Sequence, residues 1–463
     1  MTAWLPRIDG KAGPRYRAIA DAISEDVASG ALPPGARLPT HRDLAWRLGV
    51  TVGTITRAYM DAERRGLIAG EVGRGTFVKD QTRRSAYPVH GEPVEAAPFI
   101  DLSINQPMSA DLRVLFARTV ARICAEPAAD ALLRYQPWRG LSAHREAGSL
   151  WLSRFGVEAD PDRVQVTSGG QNAMAVSLMA VAKPGDLVLT EQLTYPAFKA
   201  LANGLNLRSH GVAIDEDGLV PAAFEAACRQ ASPRVLYVMP TVHNPTRATL
   251  PEERREAIAA IARRHDVTVL EDDVYGCLLE RPPAPIAAFG PEQTIYFTSL
   301  SKSVAPGLRV GFLTAPPAIL ARTTDMARAV SGMALEFAGA VAREWILDGT
   351  ADRLAADQRA ESAARQDIAE RILGPLAAGE PRTASFLWMH LPEPWRRDEF
   401  AAAAARRGVR ITPADAFMVG RGATPHAVRI SLCAPPTRDE LERGLSVLAD
   451  ILADAPSATA EVV

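Results

Sequence analysis

The chain has 463 residues, 47% of them apolar, with 52 basic and 54 acidic side chains and a formal net charge of −2. That length suits one small and one large domain, and the apolar fraction is ample for a buried core. No apolar run approaches the roughly 18 residues of a membrane span and the N-terminus lacks a signal-peptide pattern, while four scattered cysteines show no metal-type spacing, so a cytoplasmic protein without a metal is expected.

In chain order, Ile19, Ile23 and Val27 fall at i, i+4 and i+8, one apolar stripe of a helix that starts after Pro14 and is closed by Ser29-Gly30. Leu32-Pro-Pro-Gly-Ala-Arg-Leu-Pro39 is a proline-stiffened connection. Thr40 then reads as the N-cap of a short helix, Arg42 to Leu48, ended by Gly49. Thr51 opens a third helix to about Arg65 with Ile55, Tyr59 and Ala62 inward, and Gly66 to Val78 follows as two short strands around glycines. Helix, helix, turn, helix and β-wing predict a winged helix-turn-helix over residues 12–79. The first 80 residues carry 12 basic and 9 acidic side chains, a mild excess compatible with phosphate contact. Residues 80–98 change character, with Arg83-Arg84-Ser85, prolines at 88, 93 and 98 and few apolar runs, and predict a semi-extended linker. A body over residues 99–455 and a frayed tail complete the division.

Within the body, Val164-Gln-Val-Thr-Ser-Gly-Gly-Gln-Asn reads as strand, glycine turn and helix start, a ready anion site. Thr194-Tyr195-Pro196 follows an apolar strand around Leu187 to Leu189. His243-Asn244-Pro245-Thr246 is a turn, and Val267 to Asp272 is an apolar strand ending in carboxylates, with Tyr275 three residues on. Taken singly, each also reads as a plain cap, turn or core residue. Ser299 to Gly311 holds Lys302, one of only five lysines against 47 arginines, flanked by hydroxyls and followed seven residues later by Arg309. Arginine keeps its proton and cannot condense with an aldehyde. A lone lysine in that setting points to an aldehyde cofactor bearing a phosphate.

This ordered set resembles the fold-type I aminotransferases, which use pyridoxal 5′-phosphate and have a large α/β sheet lobe and a smaller C-terminal lobe. The resemblance implies Lys302 as the catalytic, cofactor-bonding lysine, Asp272 (ahead of Asp273) at the ring nitrogen, and Asn244 and Tyr275 at the ring oxygen. It implies Tyr195 stacked on the ring, and Gly170, Gln171, Ser299 and Arg309 around the phosphate. Tyr135, in Leu133-Arg-Tyr-Gln-Pro-Trp-Arg-Gly140, matches the tyrosine that reaches a neighbouring subunit's phosphate, which implies a homodimer. Arg429 matches the arginine that clamps an effector or substrate carboxylate. Arg247 departs from the pattern, standing where the family usually has glycine, so the local substrate-binding geometry is expected to differ.

The head resembles the GntR family of bacterial regulators in Gly30-Ala-Leu-Pro-Pro-Gly, Leu38-Pro-Thr-His-Arg-Asp-Leu-Ala and Gly73-Arg-Gly-Thr-Phe-Val. The resemblance implies binding to double-stranded operator DNA through Arg42, the recognition-helix residues Thr51, Gly53, Thr54, Thr56 and Arg57, and the Arg74-Gly75 wing tip. Val52 stands where some members carry a base-reading arginine, so no operator sequence carries over. Such a head on such a body is the arrangement of the MocR subfamily of GntR regulators. It implies a transcriptional regulator that senses a small amine or amino acid through an external aldimine formed in exchange for Lys302. Two alternatives stay open: a working aminotransferase with an accessory head, and a sensor of pyridoxal 5′-phosphate itself.

Overall fold

The computed structural model describes residues 4–6, 14–33, 35–64, 67–71, 75–78, 99–108, 111–420 and 423–454. The chain divides into two compact units, residues 1–95 and 96–463. The expected linker at 80–98, the wing residue Arg74 and the tail from Ala455 lie outside the described residues.

In the head, α1 (Arg15–Ala28), α2 (His41–Leu48) and α3 (Val52–Arg64) precede an antiparallel pair, β1 (Ile68–Glu71) and β2 (Gly75–Val78). Thr40 Oγ1 accepts from Asp43 N at 3.2 Å, the cap expected of it, so α2 begins one residue earlier than the apolar pattern suggested. Thr51 stands just before α3 and accepts from Thr54 N at 3.2 Å, so it caps the helix whose first residue it was expected to be. The stripe Ile19 and Ile23 meets Ile55, Tyr59 and Ala62 of α3, and Leu38, Leu44, Ile68 and Val78 close the core. Tyr59 Oη donates to Pro39 O at 2.8 Å, satisfying its one polar atom inside that core.

The body opens with β3 (Ile100–Asp101). Helices α4 (Leu112–Ala125) and α5 (Ser142–Ser153) lead to β4 (Val164–Thr167) and α6 (Gly170–Val181). Next come β5 (Leu187–Glu191), β6 (Arg208–Val212), the small hairpin β7 (Ile214–Asp215) and β8 (Gly218–Leu219), and then β9 (Val235–Val238), β10 (Thr268–Asp272), β11 (Thr294–Ser299) and β12 (Gly311–Thr314). The large sheet has the order β4-β12-β11-β10-β9-β5-β6, parallel throughout except β12, which runs antiparallel to both neighbours. β9 and β11 are buried at every position, as strands covered on both faces must be, and β9 accordingly reads as a continuous apolar run.

The C-terminal lobe pairs β13 (Phe386–His390) with β16 (Ala427–Ser431), flanked by β15 (Thr412–Pro413), while β14 (Val409–Arg410) pairs in parallel with β3. The first residues of the body are therefore stitched into its last lobe. Phe400, Leu441, Leu445 and Leu448 fill that lobe's core.

Ile55 is fully buried at the crossing of α1 and α3. Ile55→Ala is expected to cost the head about 2–5 kcal/mol through lost burial and a residual cavity. Calorimetry should show a lower head transition with the body's transition unmoved.

Candidate functional site

In sheets of this kind a ligand crevice lies beyond the carboxyl ends of the parallel strands. The loops leaving β4, β5, β9, β10 and β11 at that edge carry nearly all the candidate residues. β10 ends in Asp272, whose Oδ2 accepts from Tyr237 Oη on β9 at 2.7 Å and whose Oδ1 accepts from Val274 N at 3.3 Å. Burial pushes the Asp272 carboxyl up to about 7; Asp273 adds to the rise, while the Tyr237 and Val274 hydrogen bonds and Lys302 oppose it. Side chains alternate along a strand, so its neighbours face elsewhere. Glu271 accepts the N–H groups of Ile286 and Ala287, and Asp273 accepts from Tyr296 Oη at 2.6 Å and answers electrostatically to Arg255. The preference for Asp272 over Asp273 agrees with this divergence.

Lys302 lies in the turn between β11 and β12, half-buried. Its Nζ donates to the backbone oxygen of Asn105 at 2.7 Å and stands 5.7 Å from the centre of the Tyr275 ring. Burial drives its pKa down, Arg429 and Arg309 push the same way, and Tyr195 and Asp272 oppose them. Four side chains singled out in the sequence thus act electrostatically on a fifth, Lys302. Tyr275 Oη accepts from Asn105 Nδ2 at 3.0 Å, and Tyr195 Oη accepts from Gln171 Nε2 at 3.0 Å. Arg429, buried on β16, donates to Asn244 Oδ1 at 2.9 Å and to Ser103 O.

The anion cradle is built by glycine. α6 starts at Gly170 without a side-chain cap, so its first N–H groups point outward with the positive end of the helix dipole. Gly169 has φ of +83°, and a Cβ there would sit 2.8 Å from Arg309 Nη2; a Cβ on Gly170 would sit 2.9 Å from Val274 Cγ1 and 3.8 Å from Ser299 Oγ. Glycine at 169 admits the Arg309 guanidinium and glycine at 170 admits Val274, with Ser299 in ordinary contact range of the same helix start. That donor set suits a phosphate, the buried Asp272 suits a protonated ring nitrogen, and Lys302 suits an aldehyde carbon. Asn105 Oδ1 is buried without a hydrogen-bond partner among the described residues, a further polar atom available to a bound group. The residues present fit pyridoxal 5′-phosphate.

Two candidates behave differently. Tyr135 is 97% exposed, so this chain alone does not bring it to the others. Arg247 takes the left-handed φ of +70° that a glycine would favour, and its guanidinium turns to Ala378 O at 3.1 Å and Gly379 O at 3.4 Å. It ties the Asn244 turn to the C-terminal part of the chain. Three contributors went unread in the sequence: Tyr237, Ser103 and Asn105. Tyr237 looks like one more core aromatic of β9, and Asn105-Gln-Pro looks like an ordinary turn.

In the head, Arg42, Thr51, Gly53 and Arg57 are exposed, and Thr54 and Thr56 are half-buried. Thr51, Gly53, Thr54 and Arg57 line a cleft of about 410 Å³ together with Pro14, Arg15 and Tyr16 from the start of α1. Arg15 and Tyr16 were not anticipated from the sequence. Thr56 Oγ1 bonds to Val52 O at 3.0 Å and pairs with His41 Nδ1 at 3.3 Å, which occupies it within the head. Gly75, at the start of β2, has φ of +121° and packs against Arg37, whose Nε would lie 2.9 Å from an added Cβ.

Residues 97–448 match the family model for class I and II aminotransferases, and residues 15–78 match that for the bacterial regulatory proteins of the gntR family. The chain is 32% identical to the HTH-type transcriptional regulator YdeF of Bacillus subtilis, covering 98% of this chain and 97% of that protein. It is 27% identical to the HTH-type pyridoxine biosynthesis transcriptional regulator PdxR of Corynebacterium glutamicum, covering 88% and 89% respectively. Among solved structures, the kynurenine aminotransferase of Pyrococcus horikoshii, crystallised with PMP, aligns with a TM-score of 0.71 at 25% identity, covering 78% of this chain and 92% of that one.

The raised pKa of Asp272 has a measurable consequence. A carboxyl held at about 7 in the folded protein contributes stability that is complete below its ordinary value of 3.8 and is lost as pH rises through about 7. In cofactor-free protein, wild type should therefore lose stability relative to Asp272→Asn as pH is raised from about 5 to 8. A melting-temperature difference between the two that stays constant over that range would contradict the burial of this carboxyl.

Proposed function

The chain belongs to the MocR-like regulators, in which a GntR-type helix-turn-helix precedes a class I and II aminotransferase body, and from that premise we propose that it sets operator occupancy according to a small amine or amino acid bound at Lys302. It is a transcriptional regulator with an aminotransferase-like body, and the cofactor of that body is pyridoxal 5′-phosphate. The observation that carries the sensing proposal is the coexistence, in one chain, of a cofactor-type lysine site with a GntR-type helix-turn-helix head. An enzyme has no evident use for the second, and a plain repressor has none for the first. Among the described residues no helix is long and apolar enough to cross a membrane.

When bound, pyridoxal 5′-phosphate supplies an aldehyde that condenses with primary amines and a ring that withdraws electrons. Asp272 would keep a proton at the ring nitrogen, and Tyr237 holds Asp272 in place. Asn244 and Tyr275 would meet the ring oxygen, Tyr195 would lie against the ring, and Gly170, Gln171, Ser299 and Arg309 would hold the phosphate. The depressed pKa of Lys302 leaves more of it as the neutral amine that can bond to carbon. Arg429 presents a planar fork suited to the carboxylate or sulfonate end of an effector. Two of its acceptors, Asn244 and the Ser103 backbone carbonyl, are neutral and weaker partners for it than an anion.

Ligand binding can change DNA affinity only by favouring one of two states of the protein. The head would meet operator DNA through Arg42, Thr51, Gly53, Thr54, Thr56, Arg57 and the Arg74-Gly75 wing, and the cleft shared with Arg15 supports this face. A homodimer is part of the proposal. Tyr135 stands free on the surface beside exposed Leu133 and Trp138, as a residue serving a second copy's phosphate site would. The depressed pKa of Lys302 also suits proton transfer at the amine carbon, so slow transamination is the second reading.

Two variants separate the parts. Lys302→Ala is expected to abolish any amine response while operator affinity without amine stays within about threefold of wild type, below the usual range of allosteric coupling; loss of DNA binding as well would assign the site a purely structural role. Arg57→Ala is expected to weaken operator binding and lower the slope of its salt dependence by about one, with the cofactor's absorbance unchanged. An unaltered salt slope would remove Arg57 from the phosphate contacts.

A further inference from the structure

The body meets the segment that leads to the head at residue 99, and the next few residues touch both ends of the candidate effector site. We propose that residues 100–105 form a strap that reads the state of Lys302 and Arg429 and carries it toward the head, with Asn105 as the positioning residue at its tip. This rests on the sensing function proposed above and names the element that would execute it.

The contacts fall within three residues. The backbone oxygen of Asn105 holds Lys302 Nζ at 2.7 Å, and its side-chain amide donates to Tyr275 Oη at 3.0 Å. Two residues back, Ser103 O accepts from Arg429 Nη2. An effector with an amine at one end and an anion at the other would disturb both. Its amine competes with Lys302, and a freed ammonium regains three donors, for which Asn105 O is the adjacent acceptor. Its anion draws Arg429 away from Ser103 O, a weaker partner because it carries no net charge. The two ends of one small molecule therefore act on the same stretch of backbone, in opposite senses, two residues apart.

The strap is also built to move as a unit. Asp101 Oδ1 accepts from Ser103 N at 2.8 Å and from Ser103 Oγ at 2.6 Å, a local turn that fixes residues 101–103. Ile100 N donates to Gly408 O and Leu102 N to Arg410 O, while Ser431 donates to Leu102 O and Ile104 O. These partners lie in the C-terminal lobe, which also carries Arg429 on β16. The lobe, the clamp arginine and the strap are one hydrogen-bonded layer. Lys302 and Tyr275 belong to the large sheet's loops. Asn105 is where the strap meets those loops.

The test uses holoprotein and a reagent that needs no knowledge of the natural effector. Aminooxyacetate has a nitrogen that takes the cofactor's aldehyde carbon in place of Lys302 Nζ, with loss of the lysine as free amine, and a carboxylate for Arg429. Hydroxylamine frees the lysine without offering the carboxylate. Hydrogen exchange of peptides covering residues 99–108 should change by about fivefold or more with aminooxyacetate and by less with hydroxylamine. Unchanged exchange in that stretch overturns the strap. Asp101→Ala, a residue that contacts neither Lys302 nor Arg429, should keep the absorbance shift with aminooxyacetate while the accompanying change in operator affinity falls below about twofold. A full operator response in this variant also overturns it. If wild type shows the exchange change and the absorbance shift but no change in operator affinity, the sensing function fails and the strap stands as a local device.

Discussion

Everything in the body follows from the need to bury a lysine and a carboxylate at one edge of a parallel sheet without leaving either uncompensated. Asp272 is buried and Lys302 half-buried, and each is pushed toward its neutral form by its loss of water. Neither makes a direct ion pair with the other. Lys302 is held by a backbone oxygen and Asp272 by a phenol, so both keep the reactive face that a cofactor would use. A tight salt bridge would have tied up both groups and left neither available to a cofactor.

The sheet makes that arrangement possible. Five loops leave the same edge, so residues from Gly170 to Ser299 converge although they are far apart in sequence. The turn from β11 into the antiparallel β12 stays at that edge and holds both Lys302 and Arg309, and glycine at 169 lets Arg309 lie against the start of α6. The C-terminal lobe closes the arrangement from the other side, bringing Arg429 to Asn244 and the strap to Lys302. A change at either end of a bound effector therefore reaches residues that continue directly into the chain leading to the head.

Much of this was legible in the sequence because the signals were local. The apolar stripe of α1, the Thr40 cap and the glycine-flanked wing each depend on residues a few positions apart, and the helix ends fell within a residue of expectation. The strand-end Asp272, the glycine turn before α6 and the lone Lys302 were legible for the same reason. What could not be read were pairings across long separations. Asn105 meets Tyr275 and Lys302 170 and 197 residues away, with nothing in Asn-Gln-Pro to mark it as more than a turn. Arg247 departs from the family pattern at a position where glycine is usual, and the carbonyls at 378 and 379 that its side chain meets lie over 130 residues away. Tyr135 is exposed in the single chain, so nothing within one copy marks what it meets.

The account stands on one coupling, between amine binding at Lys302 and DNA binding by the head. The most direct measurement records the visible absorbance of the holoprotein and its affinity for its own upstream DNA in the same samples, titrated with a panel of small amines and amino acids. The account predicts that a compound which shifts the absorbance also shifts the operator affinity, with the same midpoint and without release of a keto acid. Amines turned over at enzyme-like rates while DNA affinity stays fixed would contradict it.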